Sequence, residues 1–188
     1  MQKLELSSKF IYVNEFTKEL SFCDIDKIKF NALQNYWGNY RVTENKNDYR
    51  YNYYNVTDDK NVMWINDYIR DSWNLLRIKE HTKTINFKKH FIVQELNESI
   101  NTHNHINSLD VINSPEISGL YTISCGKNPV DLIIKNKVKG DIYKTTRIPM
   151  KTNNFIFWNS DLNFSLDANL NKEPLVNLIF NFQEKRVV

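Results

Sequence analysis

The stretch SGLYTIS, residues 118–124, has the aromatic and β-branched content of a β-strand. Turn-like segments flank it, NSPE (113–116) before and GKNP (126–129) after. The same texture repeats outward from it. INFKKHFIVQEL (85–96) precedes it, and VDLIIKN (130–136), NFIFWN (154–159) and PLVNLIFNF (174–182) follow. NSDLN (159–163) and LNKE (170–173) read as further turns. Several short strands in succession predict a β-sandwich or jelly roll as the main body.

The N-terminal part is mixed. KFIYVNEF (9–16) reads as a strand. DIDKIKFNALQNYW (24–37) reads as a helix with Ile25, Ile28 and Leu33 facing inward. TDDKNVMWINDYIRDSWNLLRI (57–78) is the clearest helix, because Val62, Ile65, Ile69, Trp73 and Leu76 recur at three- and four-residue steps. Thr57 suits its N-cap, and Asp58 and Asp59 suit the positive end of its dipole. With four Gly, four Pro, no repeat and no linker, the expectation is one α+β, mainly β domain over 1–188. Residues 1–83 would be the mixed part with helices packed outside, and 84–188 the jelly-roll core.

Composition excludes several classes. Apolar residues make up 41% and charged residues 25%, which predicts a soluble globular chain. A net charge of +3 is too small to call for nucleic acid or an acidic membrane, and runs such as Lys135 to Lys139 read as solvated faces. No apolar run is long enough to span a bilayer, and MQKLELSSKF lacks the apolar core of a signal peptide. Cys23 and Cys125 form no CxxC pair, so reduced thiols are expected. The expected location is the cytoplasm or a virion rather than the outside of the cell. The sequons at Asn55, Asn97 and Asn163 then read as chance matches in an Asn-rich chain. Trp37, Tyr40, Tyr49, Tyr51, Tyr53 and Tyr54 form an aromatic, polar stretch that suits a protein interface or a surface loop.

NTHNHINSLDV (101–111) is the one stretch that reads as chemistry. His103 and His105 share a face if the strand is extended there. Two imidazoles plus a carboxylate are the donor set of a non-haem iron site. The order FIVQELNESINTHNH (91–105), ISGLYTIS (117–124), RIPMKTNNFIFWNSDLNFSL (147–166), PLVNLIFNF (174–182) resembles the 2-oxoglutarate/Fe(II)-dependent oxygenase superfamily, most closely its small members in marine phages and bacteria. The resemblance covers residues 88 to 182 and implies a double-stranded β-helix, which is a form of jelly roll. It implies Fe(II) and 2-oxoglutarate as cofactors if the site is intact.

The chain departs from the family pattern at the site itself. On the resemblance, Asn163 stands at the family's distal-His position, Leu175 at the Arg that anchors 2-oxoglutarate, and Thr122 at the second Tyr of the SGxYY-like strand. No histidine follows His105. A carboxylate from Asp161 or Asp167 would restore an acid ligand, and Arg147 or Lys151 would have to reach the co-substrate. The candidates are therefore His103, His105, Asp161 and Asn163 for a metal, and Tyr121, Thr122 and Arg147 for a cofactor. The favoured reading is a non-catalytic jelly-roll protein derived from this fold. It would act as a structural or assembly component, as in a phage virion, with protein partners and as a homo-oligomer. The competing reading is an active Fe(II)/2-oxoglutarate-dependent dioxygenase with a permuted metal site.

Overall fold

In the computed structural model, residues 2–6, 9–15, 26–34, 67, 85–105 and 114–184 are described. The strands are β1 (Gln2–Leu6), β2 (Lys9–Glu15), β3 (Ile85–Gln94), β4 (Ile100–His103), β5 (Ile117–Ser124), β6 (Asp131–Lys139), β7 (Ile142–Pro149), β8 (Asn154–Asn159), β9 (Asn163–Leu166) and β10 (Leu175–Glu184). They form a six-stranded sheet in the order β1-β2-β8-β5-β10-β3 and a four-stranded sheet in the order β4-β9-β6-β7. The pairs are antiparallel. From β3 onward the chain passes repeatedly from one sheet to the other, which is the winding of a jelly roll.

Alternation along the strands divides the side chains between two layers. Ile11, Leu120, Ile156, Trp158, Leu175 and Ile179 of the large sheet meet Ile100, Leu132, Ile134, Ile148, Phe164 and Leu166 of the small one in a single buried cluster. Intervening residues of the large sheet face the other way and are also buried, among them Tyr121, Phe155, Phe157 and Phe180. Burial of both faces explains why β5 and β8 read as near-continuous apolar runs. In the small sheet, β7, at its edge, is mostly exposed.

Residues 26–34 form helix α1, with Ile28 and Ala32 buried, within the stretch expected to be helical. Lys29 Nζ lies 3.6 Å from Glu173 Oε2, which sets α1 beside the loop entering β10. Of the helix expected over 57–78, only Asp67 is described, and it is helical; the rest of that element, Cys23 and the Tyr-rich stretch lie outside the described residues. Strands β1, β4, β7 and β9 were not among the expected ones.

Candidate metal centre

The two histidines are brought together by a bulge. Ile100 pairs with Leu166 and His103 with Phe164, so three steps along β4 match two along β9. The extra residue turns His103 to the same face as Ile100, toward the space between the sheets. Its Nδ1 is 2.8 Å from the carbonyl oxygen of Asn101. A carbonyl only accepts, so Nδ1 donates in this contact.

His105 follows on the same side, and the two ring centroids lie 5.6 Å apart. The backbone N–H of His105 donates to the oxygen of Ser160 at 3.2 Å. Its Nδ1 is 2.7 Å from Ser118 Oγ, and Ser118 Oγ is 2.7 Å from Ser160 Oγ. Both serines are buried. Burial, then the neighbouring His103, pushes the His105 pKa down to about 3, so the ring is neutral at physiological pH. The SG of SGLYTIS thereby acquires a role that no reading of the sequence assigned: Ser118 ties the loop after β4 to the large sheet.

The group facing both imidazoles is Phe164. Its ring centroid lies 4.3 Å from that of His103, 4.9 Å from that of His105 and 5.1 Å from Trp158. Asn163, expected at this place, is one residue earlier and on the opposite face of β9. There its Oδ1 accepts from Asn104 Nδ2 at 3.1 Å. Asn163 and Phe164 thus differ by one step along β9, and it is Phe164 that pairs with His103.

The other candidates are dispersed. Asp161 is drawn to Lys9, with Oδ2 and Nζ 2.7 Å apart, and not to the histidines. Arg147 lies on the solvent face of β7, where its Nη1 is 2.7 Å from Asp167 Oδ2 and 3.3 Å from Asp131 Oδ2. The hydrogen bonds to Asp167 and then Asp131 raise its pKa, and Asp167 is in turn engaged by Arg147. Tyr121 projects from the outer face of the large sheet, stacked on Phe155 at 4.3 Å, with its hydroxyl donating to Asn153 Oδ1 at 2.9 Å. Asp161 was expected to complete a metal site and Arg147 and Tyr121 to line a cofactor site; the contacts they make here are those ion pairs and that hydrogen bond. Among the described residues, no three His, Cys, Asp or Glu side chains gather to hold a metal ion.

Thr122 does face the space between the sheets, in register with Asn177 of β10. Thr122 Oγ1 and both polar side-chain atoms of Asn177 are buried without a hydrogen-bond partner among the described residues. Leu175, two residues before Asn177, belongs to the apolar cluster. Asn177 was missed at the sequence level because it sits inside the apolar run PLVNLIFNF.

No family model and no curated protein matches the chain. Solved structures do. A prolyl hydroxylase from Trichoplax adhaerens, in complex with a hypoxia inducible factor peptide fragment, aligns at 10% identity and TM-score 0.62 over 93% of this chain and 83% of its own. HygX from Streptomyces hygroscopicus, with nickel and 2-oxoglutarate bound, aligns at 9% identity and TM-score 0.59 over 93% and 82%. A Pseudomonas putida prolyl-4-hydroxylase aligns at 9% identity and TM-score 0.54 over 93% and 88%. Two further oxygenases are spanned over only about half of their own length. The sheet order, the repeated passage between the sheets from β3 to β10 and these alignments agree: the chain has the double-stranded β-helix fold of the 2-oxoglutarate/Fe(II)-dependent oxygenases.

Proposed function

We propose that the chain is a non-catalytic member of this fold that serves as a structural or assembly component. The observation that carries the reading is Phe164 against both imidazoles. A phenyl ring offers no lone pair to a metal, whereas a non-haem iron site needs two imidazoles and a carboxylate on one face. The carboxylate candidates Asp161 and Asp167 are held by Lys9 and Arg147. Among the described residues, those around the histidines do not fit the iron. They do not fit 2-oxoglutarate either, because Leu175 cannot replace a bidentate Arg–carboxylate fork.

What remains is a rigid sandwich, and a fold does not fix a function. Under this reading the histidines hold structure: His105 links Ser118 and, through it, Ser160. The test is anaerobic Fe(II) titration with and without 2-oxoglutarate, beside light scattering of the purified chain. Weak or absent Fe(II) binding, no thermal stabilisation by 2-oxoglutarate and a defined homo-oligomer are expected. Saturable binding of both ligands overturns the reading, and a strict monomer overturns its assembly part.

One observation favours a second reading, in which the space between the sheets keeps a polar ligand and the chain is an active dioxygenase with a permuted site. Thr122 and Asn177 are buried and unpartnered, and a buried polar group without a partner costs about 1–3 kcal/mol. Stabilisation by 2-oxoglutarate that Asn177→Leu abolishes would favour it.

A further inference from the structure

Strand β9 pairs with β6 only from Leu132 to Lys135, whereas β6 and β7 continue to pair through Lys139 and Ile142. Beyond residue 136 the β6–β7 hairpin is therefore a two-stranded ribbon with no third strand among the described residues. Gly140 turns it in the left-handed region, at φ 54°, followed by Asp141. Polar side chains are the rule on such a projection, yet Val138, Ile142 and Tyr143 are 63%, 66% and 42% exposed. They are half of the exposed large apolar side chains among the described residues.

Ile142 and Tyr143 are neighbours along β7, so alternation sends them to opposite faces of the ribbon. A flat partner covers one face only. An apolar medium that surrounds the tip covers both. The charge is concentrated here too. Lys137, Lys139 and Lys144 against Asp141 give residues 136–144 two positive charges, against three for the whole chain. Asp141 reaches Lys137 only at 4.0 Å and in full solvent, a contact worth little.

We propose that the tip of the β6–β7 hairpin docks on an anionic lipid bilayer, with Val138, Ile142 and Tyr143 entering the interface and the flanking lysines meeting the headgroups. The inference is independent of whether the histidine site has chemistry. It revises the expectation that the lysine run is only a solvated face, because apolar side chains share its projection. Aromatic and aliphatic side chains partition to the interface, and each lysine near an anionic surface adds attraction that salt screens.

The test is co-sedimentation with vesicles of phosphatidylcholine, with and without phosphatidylserine, over a range of salt. Binding to the serine-containing vesicles alone, weakened by salt, is expected. Val138→Asp/Ile142→Asp and Lys137→Ala/Lys139→Ala should each weaken it roughly tenfold or more with an unchanged melting temperature, since these side chains are exposed. No binding, equal binding to neutral vesicles, or binding that survives both variants overturns the proposal. Displacement of the vesicles by single-stranded DNA with equal effect on the aspartate variant would assign the tip to nucleic acid instead.

Discussion

Gly119 faces Phe180 across the β5–β10 pair, and a Cβ built on it would meet the ring at Cε2 and Cζ. Phe180 cannot swing away cheaply, because it is fully buried between Phe155 and Phe157. Gly119→Ala should therefore cost about 1–3 kcal/mol, the range for overpacking a core, read as a lower urea midpoint at unchanged slope. His105 gives a second residue-scale outcome. Its folded pKa of about 3 lies below its ordinary value of 6.5, so between these two pH values the unfolded chain binds more protons. The stability tied to its neutrality is full above pH 6.5 and is lost progressively as pH falls toward 3. The loss is about 1.4 kcal/mol per pH unit once below the ordinary value. Chemical denaturation at pH 7 and pH 5 should show this loss in the native chain and a flatter profile in His105→Gln. Equal pH dependence in the two proteins would mean that His105 is not held neutral.

At the scale of elements, the β4 bulge and the β9 register decide the candidate site. They put Phe164 where a third ligand would have to stand. Phe164→His should create a three-imidazole cluster and raise Zn(II) or Ni(II) affinity measurably over the native chain in calorimetric titration. Unchanged affinity in a folded variant would contradict the placement of β9. The sequence made β2, β3, β5, β6, β8 and β10 legible through their apolar content. It did not reveal β4 and β9, which are four residues long, or β7, whose side chains mostly face water. The histidine pair was legible as two like residues at a strand spacing. The partner across from it was not, because a one-residue slip exchanges the faces of a strand and register is set by tertiary pairing. Asn163 and Phe164 differ by that single step.

At the scale of the molecule, the large sheet is buried on both faces and the small sheet carries the ion pairs of Arg147 on its outside. The fold seen in the oxygenases here encloses an apolar cluster, a neutral histidine and a pair of buried serines. The order of segments was enough to suggest the winding, since alternation between sheets follows from connection lengths and strand patterning. It was not enough to tell which side chains meet, as Asp161 and Arg147 illustrate by their ion pairs elsewhere. The most direct test of the proposed non-catalytic reading is succinate formation by the purified chain supplied with Fe(II), ascorbate, oxygen and 2-oxoglutarate. No succinate above a protein-free control is predicted. Succinate above that control, abolished by His103→Ala, would contradict it.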